Sequence, residues 1–177
     1  DPGHFLRLHE FLPESKTIAI TYPSNVVPDL RYWKIIREMD CCQMVYEEPV
    51  TDFKSRGAEK IQALGEEHIP AMLELTALTK PGPFLQNTIQ FGNYFGIFEN
   101  GRLAAMCGQR MNPVPYMEVS AVCTHPDHRG KGYAKALMLR VMELIIQQSY
   151  TPFLHVLAEN NTAIGLYESI GFRTRTR

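Results

Sequence analysis

The residues best suited to chemistry form a short basic turn that contains two glycines, Arg129-Gly130-Lys131-Gly132. The turn follows a β-branched run that ends at His125-Pro126, and a long helical pattern begins directly after it. Glycines allow a tight turn that aims several backbone N–H groups at one point. The start of a helix adds unsatisfied donors and about half a positive charge. With the side chains of Arg129 and Lys131, this turn predicts a pocket for a pyrophosphate.

Two common kinds of phosphate-binding loop do not fit this turn. The sequence contains no GxxxxGK[ST] pattern, and Gly130 and Gly132 are not followed by a third glycine at the offset of GxGxxG. The turn instead fits [QR]-x-x-G-x-[GA], in which Arg129, Gly132 and Ala134 occupy the specified positions. Taken alone, this pattern also allows a glycine-rich turn with exposed charges and no ligand.

A second motif, N-x-x-A-x-x-L-Y-x-x-x-G-F, extends from Asn160 to Phe172. In this order and at this spacing, the two motifs resemble the GNAT superfamily of acyl-CoA-dependent N-acyltransferases. The sequence around the second motif also resembles the branch related to the glycine N-acyltransferases. The resemblance covers roughly residues 57–177 and is dense only from Glu118 onward.

The resemblance implies that acetyl-CoA is the co-substrate. The backbone of the strand residues Val122, Cys123 and Thr124 would hold the pantetheine arm like an added strand, and Asn160 would hydrogen-bond the arm or the loop around it. The pyrophosphate would bind the turn and the start of the following helix, at Arg129, Gly130, Lys131, Gly132, Tyr133 and Ala134.

The resemblance also implies a catalytic role for Tyr167. Its phenol would lie beside the thioester sulfur and donate a proton to the departing thiolate. An unperturbed phenol with a pKa near ~10 suits a thiol leaving group better than an aliphatic hydroxyl does. The alternative is a core aromatic residue on a short amphipathic helix.

An amine acceptor must lose a proton before it attacks, and Glu118 is the first candidate base. Its spacing from Arg129 matches the general-base glutamate of histone-acetylating members of the superfamily, and a half-buried carboxylate would have a raised pKa. The alternative is a solvent-facing glutamate at a strand end. His155 is a second candidate, although a lone strand histidine is more often structural. Cys123 has no obvious histidine partner in the sequence, which argues against covalent transfer through its thiol.

The acceptor is the least defined part of the sequence. Residues 79–84 and 112–116 are expected to line its pocket, because such loops flank the thioester in this fold. Their mixture of Lys80 with Phe84 and Tyr116 favours a small amine or amino acid that has an apolar part and a carboxylate. A protein amine remains open as the acceptor. A non-catalytic acyl-CoA sensor is the competing kind of function.

The elements that must position these residues follow from the apolar patterns. Asn100-Gly101 between two apolar runs predicts a tight hairpin, since both turn residues need positive φ. The order of elements predicts a mixed sheet in an α/β (α+β) fold. The resemblance implies that this fold is the GNAT fold, with a mixed, mostly antiparallel sheet flanked by helices. Strands are predicted at 58–63, 94–99, 102–110, 118–124, 153–157 and from Phe172, and helices from Ile69, at 131–148 and at 161–169.

Residues 1–55 are predicted to form a small extra lobe beside a GNAT domain at 56–177. The lobe is expected to be a β-α-β unit with a strand at 17–22, a helix at 29–39 and a strand at 42–47. It resembles a degenerate half of a second GNAT unit. Because it lacks both motifs, a structural role is expected for it.

Composition limits the classes of partner. Of the 177 residues, 45% are hydrophobic and 21% charged, and the net charge is −1, so neither nucleic acid nor a membrane is an expected partner. No apolar run reaches a membrane span and no signal-peptide pattern opens the chain. The cysteines Cys41, Cys42, Cys107 and Cys123 show no CxxC spacing, which predicts reduced thiols, no metal and a cytoplasmic protein. A monomer or a homodimer is expected.

Overall fold

The computed structural model describes residues 3–12, 16–22, 26, 30–48 and 58–177. Its helices are α1 (Gly3–Phe11), α2 (Ile69–Thr79), α3 (Tyr133–Gln147) and α4 (Asn161–Glu168). Its strands are β1 (Cys41–Tyr46), β2 (Ile61–Leu64), β3 (Tyr94–Glu99), β4 (Arg102–Gln109), β5 (Tyr116–Thr124), β6 (Thr151–Leu157) and β7 (Phe172–Thr176).

The seven strands form one sheet in the order β2-β3-β4-β5-β6-β1-β7. Every neighbouring pair is antiparallel except β5 and β6, which are parallel. The predicted fold class, a mixed and mostly antiparallel sheet flanked by helices, is therefore confirmed.

The two faces of the sheet are covered by different helices. On one face α3 buries an apolar stripe against β4 and β5. Fully burying one such side chain contributes about 1.5–3 kcal/mol, so this stripe holds the helix in place. On the other face α2 packs Met72 and Leu75 against a second cluster that includes Tyr94 and Met106. The stripe of α3 comprises Tyr133, Ala136, Leu137, Met138, Val141, Met142 and Ile145.

The β3–β4 hairpin has the predicted turn. Asn100 has a φ of 51° and Gly101 a φ of 75°, so both turn residues lie in the left-handed region that a two-residue hairpin requires. Helix α3 begins at Tyr133 rather than Lys131, since Gly132 has a φ of 80° and cannot continue a right-handed helix. Likewise β2 begins at Ile61 rather than 58, because residues 58–60 form a 3₁₀ turn.

A bulge bends β5 in its middle. Met106 of β4 lies opposite Cys123, whereas Gly108 lies opposite Ser120, so two residues of β5 face Cys107 alone. One of these two, Ala121, has a φ of 52°, which is uncommon for a residue with a side chain. A bulge of this kind bends its strand. In the described chain, β5 pairs with β6 only at residues 116–118, and the two strands separate beyond that point.

The Gly108–Tyr94 contact yields a stability prediction. A Cβ added at Gly108 would lie 2.2 Å from the Tyr94 ring, and this ring is 2% exposed and cannot move away. We expect Gly108→Ala to lower the free energy of unfolding by about 1–3 kcal/mol. Gly165→Ala is the matched control: an added Cβ there meets nothing within 4 Å, and the gain in helix propensity is about 1 kcal/mol. Urea denaturation measures both, and equal stability of the two variants would contradict the expected clash.

The N-terminal β-α-β prediction is wrong for the residues that the structure describes. Residues 16–22 form no strand, and 30–39 form no helix; residue 29 lies outside the described residues. Leu30, Ile36 and Met39 are 60%, 73% and 51% exposed, so they provide no buried face, and a short helix without one is marginal. Helix α1 was not predicted.

Strand β1 does form, close to the predicted 42–47. It lies inside the main sheet, between β6 and β7, rather than in a separate lobe. Since the sequence pattern of a strand does not say which strand will pair with it, this position had no local signal. The division of the chain at residues 55 and 56 stays a prediction.

Candidate active site

The basic turn has the shape expected for an anion site. Gly130 and Gly132 have φ values of 75° and 80°, and an added Cβ at either would meet nothing within 4 Å, so the turn is open. The N-cap of α3 is Gly132, which has no side chain to cap the first N–H groups, and the first turn of the helix contains no acidic residue. Arg129 and Lys131 are exposed beside it. These residues fit the pyrophosphate of a CoA molecule.

The phenol of Tyr133 does not point to a phosphate. It donates a hydrogen bond to Glu99 at the end of β3, and Glu99 also accepts from Lys60 Nζ at 2.8 Å. These bonds from Lys60 and Tyr133 lower the pKa of Glu99 to about 2. Only the backbone of Tyr133 remains for the predicted binding of the pyrophosphate, while its side chain connects the first residue of α3 to β3 through Glu99.

The predicted pantetheine residues lie on the strand that the bulge bends. The side chain of Val122 packs against the α3 cluster and Cys123 is 7% exposed, so only their backbone groups can meet a ligand. Burial raises the pKa of Cys123 to about 11, and a thiol in that state is a poor nucleophile. The open edge of β5 faces the gap next to β6.

The side chain of Asn160 caps a helix. Its Oδ1 accepts a hydrogen bond from the Ala163 N–H at 3.1 Å, which satisfies one of the free donors at the start of α4. The spacing of Asn160 and Ala163 in the second motif is the spacing of an N-cap and its N3 residue. The predicted bond to pantetheine is therefore not the role that the described contacts give to this oxygen.

Tyr167 is the buried residue of α4 and is 7% exposed. Its ring packs edge-on against Phe172, with centroids 6.3 Å apart. No hydrogen bond ties its hydroxyl to the described residues. Burial raises the pKa of Tyr167 above its ordinary value, so the expectation of an unperturbed phenol is wrong. The phenol stays protonated and can act only as a donor near neutral pH.

Glu118 is neither half-buried nor solvent-facing, since its exposed fraction is 1%. Arg110 Nε and Nη2 donate to its two carboxylate oxygens at 2.8 and 2.7 Å, a bidentate ion pair. His155 Nδ1 lies 2.9 Å from Oε1 of the same carboxylate. Both oxygens of Glu118 are therefore occupied.

The expected rise in the pKa of Glu118 is wrong. Burial by itself would raise this pKa, but the hydrogen bonds from His155 and Arg110, with the charge of Arg110, bring it below the ordinary value. A carboxylate with a lowered pKa and both oxygens engaged is a weak proton acceptor near neutral pH. Arg110 could not be predicted as a site residue, because only the pairing of β4 with β5 brings it to Glu118.

His155 links this ion pair to β1. Leu154 and Val156 pack in the α3 cluster, so His155 points to the opposite face of the sheet. On that face its Nε2 lies 3.2 Å from Nε2 of Gln43, which is 112 residues away in sequence. A partner at that separation could not be found from local spacing.

A pocket of about 190 Å³ adjoins His155 on this face. One of the two loops predicted to line the acceptor site contributes to it, whereas Phe84 of the other loop packs against the buried Tyr94. The pocket also includes Gln43, the partner of His155, so the ion pair and the pocket are neighbours on this face. Its walls are Gln43, Val45, Pro113, Tyr116, Phe153 and Arg175.

In the described part of the chain, no helix has the length and hydropathy needed to span a bilayer. The His, Cys, Asp and Glu side chains of this part form no group of three or more that could hold a metal ion.

Comparisons with known proteins agree with the fold described above. Residues 94–177 match the family described as FR47-like protein. A crystal structure assigned to the GNAT acetyltransferases, from Novosphingobium aromaticivorans, is 42% identical, with a TM-score of 0.76 over 81% of this chain and 63% of that one. The Vibrio cholerae spermidine N(1)-acetyltransferase is 41% identical over 49 residues, 27% of this chain and 28% of its own.

A more distant structure shares the fold alone. It is a Mycobacterium tuberculosis protein in complex with CoA, 13% identical with a TM-score of 0.54 over 64% of this chain and 70% of that one. This chain spans less than two thirds of the length of the Novosphingobium and Vibrio relatives. The chain therefore adopts the GNAT fold, and its sequence is similar to that of a GNAT acetyltransferase.

Proposed function

We propose that the chain is an N-acetyltransferase that moves an acetyl group from acetyl-CoA to a primary amine. The observation that supports this most is the bend of β5 at Ala121, since it opens one edge of the strand directly before the basic turn. An extended pantetheine arm could add to that edge while its pyrophosphate bound residues 129–134. We also propose that the chain belongs to the branch related to the glycine N-acyltransferases and acts in the cytoplasm.

The thioester would supply an activated acetyl group. Tyr167, near the end of α4, would donate a hydrogen bond and then a proton to the departing sulfur. Because burial raises its pKa, Tyr167 is fully protonated before each turnover, and the tyrosinate regains a proton from the acceptor nitrogen once the new bond has formed. The basic turn would hold and orient the nucleotide end.

The acceptor would enter from the face that carries the pocket. Val45, Pro113 and Phe153 provide apolar walls, and Arg175 provides a positive charge. This lining suits a small amine or amino acid with an apolar part. A protein amine is the alternative acceptor, and a panel of both kinds decides between them.

Binding of CoA gives the first test. A ligand at 100 times its Kd adds about 2.7 kcal/mol to stability, which raises the melting temperature of a protein of this size by roughly 5–10 °C. We expect millimolar CoA to produce such a shift, and Gly132→Asp to abolish it, because a carboxylate would then stand at the pyrophosphate site. Differential scanning fluorimetry measures both.

Gly132→Asn is the matched control for that experiment. Asparagine has the shape of aspartate and tolerates the left-handed φ of 80° about equally well, but it has no charge. We expect the asparagine variant to keep a measurable shift. If CoA did not raise the melting temperature of the unmodified protein, the proposal would be wrong. If CoA bound but no amine were turned over, an acyl-CoA sensor would be favoured.

A further inference from the structure

A buried polar chain crosses the sheet on the face that carries the pocket. Arg110 holds Glu118 with two bonds of 2.7 and 2.8 Å, Glu118 lies 2.9 Å from His155 Nδ1, and His155 Nε2 lies 3.2 Å from Gln43 Nε2. The side chain of His155 is 11% exposed, whereas that of Glu118 is 1% exposed. The imidazole is thus the member of the Glu118–His155 pair that is closer to solvent and to the pocket.

The neighbours of His155 fix which ring nitrogen carries the proton. The carboxylate of Glu118 can only accept, so it takes a hydrogen bond from Nδ1–H. The amide nitrogen of Gln43 can only donate, so it faces the lone pair of Nε2. The neutral imidazole is therefore held with Nδ1 protonated and with the Nε2 lone pair directed at Gln43, which itself lines the pocket. An acceptor ammonium in the pocket would take the place of the Gln43 amide at Nε2.

The charged and titratable groups around this imidazole come from several elements. Glu118 on β5 compensates a positive charge on the ring, while Arg110 beyond β4 opposes it and neutralises Glu118 in turn. Cys41 on β1 and Tyr94 on β3 interact with Arg110, and Tyr116 at the start of β5 and Arg175 on β7 line the pocket.

We infer that His155 is the base that takes the proton from the acceptor ammonium, and that Glu118 is a positioning residue which holds the imidazole. This inference rests on the proposed function. His155 Nε2 accepts one proton of the ammonium and later releases it to solvent. The amine nitrogen then bonds to the thioester carbon, the carbon–sulfur bond breaks, and the second proton lost by nitrogen reaches the sulfur through Tyr167.

The pH dependence of turnover separates His155 from Glu118. We expect His155→Gln to lower kcat/KM by roughly 10²-fold near pH 7, with unchanged CoA binding and with a loss that shrinks as the amine deprotonates unaided at higher pH. A loss that does not change with pH would overturn the assignment. His68→Gln is the control: this histidine is also half-buried, but it bonds Gly65 away from the pocket, so it should keep full activity.

A double variant tests the positioning role. We expect Glu118→Gln to lower kcat no more than His155→Gln does, and the double variant to be no slower than His155→Gln alone, because both changes act through one imidazole. If Glu118→Gln were the slower single variant, or if the two losses multiplied, Glu118 would act independently and the inference would fail.

A spectroscopic measurement gives a readout that needs no acceptor. Long-range ¹H–¹⁵N correlation spectra should show His155 protonated at Nδ1 and bare at Nε2 in the unmodified protein, and the Nε2–H tautomer would overturn the inference. If the unmodified protein turned over no amine, the proposed function would fail, and the base with it. If the unmodified protein did turn over an amine and His155→Gln did so at the same rate, only the role of His155 would fail.

Discussion

Tyr167→Phe is expected to lower kcat by roughly 10²–10⁴ while CoA binding changes little. The substitution removes the hydroxyl that would donate to the departing sulfur and keeps the ring, which is 7% exposed and packs against Phe172. Without a donor, negative charge on sulfur must develop in a site from which water is largely excluded, and this raises the barrier. Steady-state release of free thiol measures the effect.

Tyr46→Phe is the matched control for Tyr167. Tyr46 is 6% exposed and packs edge-on against the same Phe172, with centroids 5.8 Å apart, but it lies on β1 rather than on α4. We expect this variant to keep its turnover rate. If Tyr167→Phe lost stability but kept full turnover, the phenol would be a core aromatic residue and another donor would be required.

Glu118→Leu is expected to lower the free energy of unfolding by about 3 kcal/mol, since it leaves the charge of Arg110 without its partner in a largely buried position. Arg110 is 25% exposed, so the lower end of the range for broken buried ion pairs applies. The loss should be smaller in the double variant Arg110→Met with Glu118→Leu, because no charge is then left behind. Urea denaturation of the single and double variants measures this, and strictly additive losses would contradict it.

The same ion pair predicts how stability depends on pH. The pKa of Glu118 is lower in the folded protein than in the unfolded chain, where it is about 4.3. Its contribution is therefore complete above that unfolded value and is lost as the pH falls through the lower, folded value. The difference in stability between the unmodified protein and Glu118→Leu should be constant near neutral pH and shrink in acid.

The elements near the two motifs could be predicted because their signals are local. The turn at Asn100 and Gly101 needs positive φ at adjacent residues, and the stripe of α3 recurs at helical spacing, so neighbouring residues alone decide them. Glu118 could also be singled out as a candidate site residue from its spacing to Arg129. Its environment was not, because Arg110 and His155 reach it from two other strands, and burial and partners decide what a carboxylate does.

The N-terminal region shows that a local signal alone can mislead. The run at 17–22 has the composition of a strand, but composition does not provide the neighbouring strand that its backbone needs. The bend at Ala121 had no signal either, since alanine rarely adopts a positive φ and the register of β4 against β5 imposes it.

The position of β1 also bears on how the chain is made and folds. The ribosome completes β1 more than 100 residues before either strand that flanks it, since Gln43 pairs with His155 and Tyr46 with Phe172. Pairings this far apart in sequence form late and slowly. Until β6 emerges, β1 has two unpaired edges, which are open to other chains. The pocket beside His155 combines Gln43 of β1 with residues of β6 and β7. It therefore cannot be completed before those later strands have been synthesised.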